Sequence, residues 1–407
     1  MSPRPAIFLL SALLLLTGCS APGGALSPSS APSVSVAPTP TSTPAPTPTP
    51  DPAEVLLSSL TAEEKVGQLL LAGFSGTEPG EAVRKLIQTD HVGGLILYGY
   101  NVESAEQLCA LTNGLKALNG NQPPLFLSVD QEGGTVNRMP PELHRLPSAY
   151  AVGNQAGADG AGTLGNALGA ECAAFGLNLD FAPVADIWSN PENTVIGKRA
   201  FGSDAAAVSA CVPAAVTAIQ SHGVLSVMKH FPGHGDTAVD SHVGLPVVNF
   251  SLEALREREL LPFEAAPDAS GIMVAHIVFT ALGEKPATLN PKVVTGLLRE
   301  ELGYQGLIFT DDLTMGAITQ NYDLGDAAVE AFEAGCDVLL VCHGTDTVTA
   351  ARQAILDAVA SGRISEARLD ESVLRILRAK LSYGLNGDPV SLPDLDALNA
   401  LVDQVPG

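Results

Sequence analysis

Short apolar runs alternate with segments of helical periodicity along most of this chain, and this alternation restricts the possible folds more than any other feature of the sequence. Each run is bounded by Gly, Pro or Asp, which is typical of buried parallel strands joined by crossover helices. Eight strands are predicted, at residues 69–74, 93–98, 125–129, 178–183, 225–229, 272–279, 306–310 and 338–341. Eight βα units predict an α/β fold with a TIM (β/α)8 barrel, and an open doubly wound sheet is the alternative.

Helices are predicted in the segments between the strands. They cover residues 104–118, 204–221, 252–259, 291–302, 324–334 and 347–361. A final amphipathic helix is predicted over residues 365–383, with Gly384 as its C-terminal cap. In a TIM barrel such helices lie outside the strands, and the chemistry takes place in the loops that follow the strand C-termini.

The composition excludes several classes of protein. The chain has 407 residues, of which 46% are hydrophobic, so it can bury a large core and is not disordered. Its 44 acidic residues outnumber its 21 basic residues and give a net charge of −23, which repels phosphate backbones. We therefore expect no nucleic-acid partner.

The N-terminus predicts export. Arg4 precedes an apolar run over residues 6–16 that is too short to span a membrane but fits a secretory signal. The run ends in Leu16-Thr17-Gly18-Cys19, which resembles a bacterial lipobox. We expect residues 1–18 to be a lipoprotein signal peptide and Cys19 to be lipidated, which anchors the chain to the bacterial cell membrane on its extracytoplasmic side. An ordinary signal peptide is the alternative.

A second boundary follows from composition. Residues 20–50 contain no charged residue, and Pro alternates with Thr, Ser and Ala. Such a segment cannot form a packed core, so residues 19–52 are predicted to be a disordered, extended linker. Residues 53–407 have no similar break and are predicted to form a single catalytic domain.

Five further cysteines, Cys109, Cys172, Cys211, Cys336 and Cys342, lie within apolar strand or helix patterns. Their number is odd, although an exported protein could form disulfides. We expect buried free thiols rather than a disulfide framework.

Polar and charged residues follow almost every predicted strand. Burying such groups costs free energy, so we expect them there only if they serve binding or catalysis. They are Asp130 and Arg138 after the third strand, Asp186 and Arg199 after the fourth, Lys229, His230, His234, Asp236, Asp240 and His242 around the end of the fifth, His276 in the sixth, Asp311 and Asp312 after the seventh, and His343 after the eighth. Because these ends meet on one face of a barrel, we expect a single active site there.

Two chemistries could use this set. The His and Asp residues after the fifth strand are ligand types of a divalent-metal site, which would make the protein a metallohydrolase. However, Pro232, Gly233 and Gly235 place them on a loop, with no ligand pair at helical spacing. The alternative is a retaining glycosidase, which needs a carboxylate nucleophile and a proton donor on opposite sides of the bond.

Several motifs resemble glycoside hydrolase family 3, and within it the bacterial β-N-acetylglucosaminidases of the NagZ type. They are Asp130-Gln131-Glu132-Gly133-Gly134, the run Lys-His-Phe-Pro-Gly-His-Gly-Asp-Thr at residues 229–237, Asp240-Ser241-His242, and Phe309-Thr310-Asp311-Asp312-Leu313 with Met315. The likeness covers residues 57–385. It implies a TIM barrel, a retaining mechanism, and neither a metal nor a cofactor. Because the chain ends soon after the last helix, we expect it to resemble the single-domain members.

The resemblance also implies residue roles. Asp311 matches the nucleophile, His242 matches the general acid/base, and Asp240 matches its partner. The positions that hold the sugar hydroxyls are matched by Asp130, Arg138, Arg199, Lys229 and His230. Salt bridges at the barrel rim are the alternative for Arg199 and Lys229.

Other polar residues near these positions have simpler interpretations. We expect His234 and Asp236 to hold their loop, and His276 and His343 to be hydrogen-bonded rim residues. Of the neighbours Asp311 and Asp312, strand alternation predicts that only one points inward.

Taken with these roles, the resemblance predicts a retaining β-N-acetylglucosaminidase (β-N-acetylhexosaminidase) that cleaves terminal N-acetylglucosamine from peptidoglycan-derived glycans. The alternatives are a β-glucosidase or an N-acetylglucosaminide phosphorylase of the same family, or a non-catalytic sugar-binding lipoprotein. A histidine acid would not repel phosphate as a carboxylate would, so phosphate could compete with water as the acceptor. We expect a monomer whose partners are the glycan substrate and, through Cys19, the membrane.

Overall fold

The computed structural model describes residues 50–237, 240–241 and 244–407, and a ring of eight parallel strands lies at its centre. We number these strands β1 to β8. They are β1 Leu70–Gly73, β2 Gly94–Leu97, β3 Phe126–Val129, β4 Leu179–Asp180, β5 Leu225–Phe231, β6 Gly271–Val274, β7 Leu307–Thr310 and β8 Leu339–Val341. All eight coincide with predicted strands. Every residue in them is buried, as expected of strands covered on both faces.

The strands pair in chain order around the ring. β1 pairs with β2 on one side and with β8 on the other, where Leu70 faces Leu339. A single parallel bridge between Phe309 and Val338 joins β7 to β8, so the barrel is nearly closed. The TIM barrel prediction is therefore confirmed, and the open doubly wound sheet is wrong.

Helices surround the barrel. The longer α-helices are Pro52–Ser59, Ala62–Gln68, Glu81–Gln88, Ala105–Asn119, Ala149–Ala174, Ala205–Gln220, Leu324–Ala334, Thr345–Ala360, Glu366–Ser382 and Leu395–Val402. Shorter helical segments are Gly99–Asn101, Gly197–Arg199, Leu252–Ala254, Leu255–Glu259, Leu261–Glu264, Ala287–Leu289, Lys292–Glu301 and Gly316–Thr319, of which Leu255–Glu259 and Lys292–Glu301 are π-helical. Side chains at the N-caps fix several starts: Ser104 accepts a hydrogen bond from the amide of Gln107, and Asp204 accepts one from Ala207.

The helix Ala149–Ala174 was not predicted from the sequence. It is rich in Ala and Gly, so it lacks the amphipathic period that marks the other helices. Its glycines allow close packing on the helix Ala205–Gln220: a Cβ atom on Gly165 would lie 2.5 Å from the carbonyl oxygen of Ala215. The segment that lacks a hydrophobic stripe therefore packs backbone against backbone.

The sixth strand is shorter than predicted. The apolar run over residues 272–279 forms β6 only as far as Val274, because the ring of the buried residue His276 bonds to Thr288 and to the carbonyl of Asp312. The end of the run, Val278–Phe279, pairs in parallel with Val247–Val248 in a small separate sheet. Burial in both places explains why the run reads as one strand.

The five predicted free thiols, Cys109, Cys172, Cys211, Cys336 and Cys342, are all buried and unpaired, which confirms that prediction. Over the described ranges, no helix combines the length and hydrophobicity that crossing a bilayer requires. The predicted signal peptide, Cys19 and almost all of the predicted linker lie outside the described residues. The first helix of the described chain, Pro52–Ser59, begins with Asp51 as its N-cap.

Candidate active site

A cavity of about 410 Å³ opens at the carboxyl ends of the barrel strands, and we call it the main cavity. Its lining includes all five predicted sugar-binding residues and the predicted nucleophile: Asp130, Arg138, Arg199, Lys229, His230 and Asp311. The other lining residues are Ile96, Tyr98, Glu132, Val136, Val195, His234, Ser241, Met273, Asp312, Thr314, Met315, Gly316, Leu340, Cys342 and His343. Residues from seven of the eight strands, or from the loops that follow them, thus converge on one site.

A buried charge network occupies one wall of the main cavity. The Nζ atom of Lys229 lies 2.5 Å from Oδ1 of Asp130 and 2.7 Å from Oε1 of Glu132. Arg199 donates two parallel hydrogen bonds to Glu132, from Nε and from a terminal nitrogen, each 2.8 Å long. The two carboxylates and two cations balance one another among side chains that are mostly buried, and they hold the loops after β3, β4 and β5 together.

The network keeps its members charged. Burial opposes ionisation of Glu132, but Arg199 and Lys229 outweigh it and hold the pKa of this carboxyl well below its usual range. Burial likewise opposes the charge on Lys229, yet Asp130 and Glu132 raise the pKa of its ammonium group. Arg199 and Lys229 thus form salt bridges, as the alternative interpretation expected, and both side chains also line the main cavity.

A second carboxylate orients the histidine after β5. Asp186 accepts a 2.6 Å hydrogen bond from Nδ1 of His230 and a 2.7 Å bond from the backbone amide of His234. Burial raises the pKa of Asp186, but His230 more than offsets this and lowers it. An ionised Asp186 fixes the ring of His230, whose other nitrogen is then available for a hydroxyl group.

The side chain of His234 holds its own loop, in accord with the expectation from the sequence. Its ring nitrogens lie 2.9 Å from Oγ1 of Thr237 and 3.2 Å from Oγ of Ser241. Burial and the neighbouring His230 lower its pKa to about 4, so the ring is neutral near pH 7. Asp236 has a similar part, since its carboxylate accepts a 2.9 Å bond from Ser189.

Asp311 and Asp312 differ in how their side chains are used. Asp312 accepts bonds from the amides of Thr314 and Cys342 and from the Thr314 hydroxyl, at 2.6 to 3.0 Å, so its carboxylate shapes the turn. Asp311 accepts a bond from the amide of Asp312 and lines the cavity. The alternation argument is wrong because β7 ends at Thr310 and both residues line the cavity. The bonds of Asp312 make Asp311 the better candidate nucleophile.

The predicted acid lies on the loop after β5. His242 is outside the described residues, so its distance from Asp311 is not part of the described geometry. Asp240 and Ser241 are described, and the carbonyl of Ser241 accepts a 3.1 Å bond from the amide of Ala317. This bond ties the loop to the chain just after Asp311.

Arg138 enters the main cavity from the loop after β3. Its backbone amide donates a 2.7 Å bond to Oε1 of Gln131, and Nε2 of Gln131 donates to Oδ1 of Asn137 at 2.8 Å. The Nε atom of Arg138 is buried and has no hydrogen-bond partner among the described residues. The side chain is therefore held at its base while its guanidinium group retains the capacity to bind a ligand.

His276 and His343 were both expected to be hydrogen-bonded rim residues, but they lie in different places. His276 is buried below the site rather than at the rim, bonded to Thr288 and to the carbonyl of Asp312. His343 is at the rim, and its ring stacks on Tyr98 with the centroids 5.7 Å apart. Burial raises the pKa of Tyr98, so its phenol stays protonated and can donate a hydrogen bond.

Three residues of the site received no role from the sequence, namely Glu132, Asp186 and Tyr98. Asp186 stood among the polar residues at the strand ends and Glu132 within the motif at residues 130–134, and the basic residues predicted to lie near them were the available signal. Tyr98 gave none, because an aromatic residue at a strand end is also typical of a core.

Within the described ranges, no group of three or more His, Cys, Asp or Glu side chains is arranged to hold a metal ion. His234 has both ring nitrogens bonded to Thr237 and Ser241, and His230 has one bonded to Asp186. These two described histidines therefore bond to the protein itself.

The chain matches a known protein family. The model of the glycosyl hydrolase family 3 N-terminal domain matches residues 61–379. This range includes all eight strands and every described residue of the main cavity.

Individual proteins are also similar. The chain is 35% identical to a protein named beta-hexosaminidase A from Pseudoalteromonas piscicida, over 79% of this chain and 61% of that protein. It is 39% identical to the beta-hexosaminidase of Methylococcus capsulatus, over 66% of this chain and 81% of that protein. A solved glycoside hydrolase family 3 beta-N-acetylglucosaminidase from Paenibacillus sp. is 42% identical, with a TM-score of 0.83, over 85% of this chain and 68% of that one. The chain thus spans about three fifths of the Pseudoalteromonas protein.

Proposed function

Because the chain belongs to glycosyl hydrolase family 3, we propose that it is a retaining β-N-acetylglucosaminidase that removes terminal N-acetylglucosamine from peptidoglycan-derived glycans. The observation that carries this proposal is the position of Asp311, whose carboxylate faces a cavity of charged hydrogen-bonding groups. The carboxylate of its neighbour Asp312 is instead bonded within the turn. The names of the similar proteins support the choice of an amino sugar.

The charged wall of the main cavity suits a sugar. Carboxylates such as Asp130 accept hydrogen bonds from hydroxyl groups, and the cations Lys229 and Arg138 donate to hydroxyl oxygens. His230, oriented by Asp186, adds a ring nitrogen to the same wall. Because these groups are fixed by one another, they bind a sugar without a large cost of ordering.

Two displacements at one carbon complete the reaction. The Asp311 carboxylate attacks the anomeric carbon and forms a C–O bond as the glycosidic C–O bond breaks, while His242 gives its proton to the leaving oxygen. His242 then takes a proton from water, whose oxygen attacks the same carbon and releases Asp311. Two inversions retain the β configuration. Asp240 orients His242 and favours its protonated form.

The location forms part of the proposal. Lipidation of Cys19 would fix the enzyme to the outer face of the cell membrane, and the Pro-rich linker would hold the catalytic domain away from the lipid. Peptidoglycan lies in that compartment. A shift in mass and loss of membrane association in Cys19→Ala would support the anchor.

Turnover of 4-nitrophenyl N-acetyl-β-glucosaminide by the purified chain tests the proposed function. We expect nitrophenol release, a β-anomer as the first product in NMR spectra, and a covalent sugar on Asp311 after reaction with a fluorinated inactivator. Comparison with the matching glucoside separates a β-glucosidase. A sugar 1-phosphate formed at high phosphate would indicate a phosphorylase instead, and no turnover of any substrate would indicate a sugar-binding protein.

A further inference from the structure

Four buried side chains form a series of hydrogen bonds between the loops after β4 and β5, and we call them the polar bridge. Asn193 donates a 3.2 Å bond from Nδ2 to Oγ1 of Thr237. That hydroxyl lies 2.9 Å from Nδ1 of His234, and Nε2 of the same ring lies 3.2 Å from Oγ of Ser241. All four residues are only 2 or 3% exposed. The polar bridge thus runs from the loop after β4 to the segment of the proposed acid.

Ser241 is the residue at which the polar bridge reaches the proposed catalytic groups. It lines the main cavity, and in sequence it lies directly between Asp240 and His242. Its hydroxyl meets the ring of His234, while its carbonyl accepts a 3.1 Å bond from the amide of Ala317. Because the backbone is continuous, holding Ser241 at two points restricts the positions that its sequence neighbours can take.

His234 is fixed at its backbone as well as at its ring. Its amide donates a 2.7 Å bond to the buried Asp186, and its carbonyl accepts a 2.8 Å bond from Nδ2 of Asn193. Burial lowers the pKa of the ring to about 4, so near pH 7 the neutral ring has one donor and one acceptor nitrogen. The ring cannot turn without breaking its bonds to both Thr237 and Ser241.

Asn193 joins the polar bridge to the wall of the main cavity. Its Oδ1 atom accepts bonds of 3.0 and 2.9 Å from the amides of Val195 and Ile196. Val195 lines the main cavity, and its carbonyl accepts a 3.1 Å bond from Arg199. One amide side chain therefore holds the loop of a predicted sugar-binding residue with its oxygen and the loop after β5 with its nitrogen.

We propose that Thr237 and His234 are positioning residues for the proposed acid His242, and that they act through Ser241 rather than on the substrate. The inference rests on the proposed function, because it takes His242 as the proton donor. Thr237 is not among the described residues that line the main cavity. A general acid must lie within hydrogen-bond reach of the oxygen that it protonates, so a small displacement of the donor lowers the rate.

The test uses Thr237→Val in the full chain, because valine has nearly the shape of threonine but no hydroxyl group. The quantity measured is kcat/KM for a disaccharide of N-acetylglucosamine, whose leaving oxygen needs a proton, and for the 4-nitrophenyl substrate, whose leaving oxygen does not. We expect the disaccharide to be slowed roughly 10- to 50-fold and the nitrophenyl substrate less than about 3-fold. Thr237→Ser keeps the hydroxyl and should restore most of the disaccharide rate.

Thr112→Val is the matched control. The hydroxyl of Thr112 is also buried, but it donates to carbonyls of its own helix, Ala105–Asn119, on the outside of the barrel. We expect this variant to leave the ratio of the two rates unchanged. A ratio that shifts as much in Thr112→Val as in Thr237→Val would overturn the inference.

A second comparison shows whether Thr237 acts through His242. In a protein that already carries His242→Ala, no donor remains to be positioned. Adding Thr237→Val should then slow the disaccharide by less than about 2-fold more. A further loss of roughly 10-fold in this background would overturn the inference, because it would show an effect of Thr237 that does not depend on the acid.

The remaining outcomes are also decisive. Equal slowing of both substrates by Thr237→Val would overturn the inference. If Thr237→Val does not fold, Ser241→Ala removes the other end of the polar bridge and should show the same selective loss, absent in the His242→Ala background. An unaltered chain that cleaves neither substrate would overturn the proposed function and this inference with it, whereas an active chain without a selective loss would overturn the inference alone.

Discussion

Gln131 donates a 2.8 Å hydrogen bond from Nε2 to Oε2 of Glu171, a buried carboxyl on the helix behind the active-site loop. The same amide side chain bonds to Asn137 and to the backbone of Arg138. A group remote from the main cavity is therefore linked through one side chain to Arg138, which lines that cavity. Glu171 has no salt-bridge partner within the described residues, and burial raises its pKa to about 8.

The first prediction is that Glu171→Gln changes the pH dependence of stability. Between its ordinary pKa of 4.5 and about 8, the folded protein keeps a proton that the unfolded chain releases. The free energy of unfolding of the unaltered protein therefore falls as pH rises through this window, by an amount on the order of 3 kcal/mol from this group. Glu171→Gln removes that loss and keeps an acceptor for Gln131. Denaturant unfolding at pH 5, 7 and 9 measures the difference.

Comparing the unaltered protein with Glu171→Gln separates the effect of Glu171 on stability from that of the nearby buried acid Asp180. Asp180 is also buried with a raised pKa and contributes a slope of the same sign, but it is present in both proteins and largely cancels. Parallel stability curves for the two proteins from pH 5 to pH 9 would contradict the assignment.

The second prediction is that substitution of Asp311 removes activity, whereas substitution of its neighbour Asp312 lowers stability. Asp311→Asn is expected to abolish turnover and leave the melting temperature nearly unchanged, because the amide oxygen can still accept from the backbone of Asp312. Asp312→Ala leaves Thr314 and Cys342 without an acceptor and should cost about 2–4 kcal/mol. Calorimetry and nitrophenol release provide both readouts. A stable, inactive Asp312 variant beside an active Asp311→Asn protein would reverse the roles.

The third prediction concerns the buried charge network. Glu132→Gln leaves the mostly buried side chains Lys229 and Arg199 with one fewer anion, which should cost about 3–5 kcal/mol of stability. Glu301→Gln is the matched control, because it breaks an equally short pair with Arg256 whose side chains are 41% exposed. We expect little change from the control. Similar melting temperatures for both variants would show that the network does not stabilise the fold.

A fourth prediction tests His242 as the acid. His242→Ala should slow substrates with poor leaving groups, such as disaccharides, by roughly 100-fold or more, because their departing oxygen needs a proton. Substrates with an activated aryl leaving group should react nearly as before in the first step. Steady-state kinetics on both classes measure this, and equal damage to both would argue against the role.

Fifth, removal of metal ions should not affect catalysis. The His and Asp side chains after β5 that are described bond to the protein, as His230 does to Asp186. We expect dialysis against a chelator to leave kcat and KM unchanged. Activity that is lost on dialysis and restored by zinc would instead support the metallohydrolase alternative.

The barrel was predictable because its strands are buried on both faces, so most of them leave a largely apolar run such as Gly94–Leu97. The helix Ala149–Ala174 was not predictable in the same way, since its packing depends on glycines rather than on an apolar stripe. The strand Val247–Val248 was missed because two residues carry no period, so its pairing with Val278–Phe279 at the end of the predicted sixth strand was missed as well.

Much of the site was also within reach of the sequence. Strand ends must converge in a barrel, so Asp130, Lys229 and Asp311 could be placed together from their positions alone. The ion pairs within the site could not be predicted. Glu132 binds both Lys229 and Arg199, and this depends on side-chain directions that only the folded chain defines.

The contacts between the C-terminal helix Leu395–Val402 and the rest of the domain have a consequence for how enzymes of this kind diverge. The family match ends at residue 379, yet Asn399 and Asp403 beyond it hold the loop that carries Arg145. Substitutions in this helix can shift that loop while the nucleophile and the charge network stay in place. The surface beside Arg138 can thus change through a segment outside the matched region, without any change in the residues that carry out the chemistry.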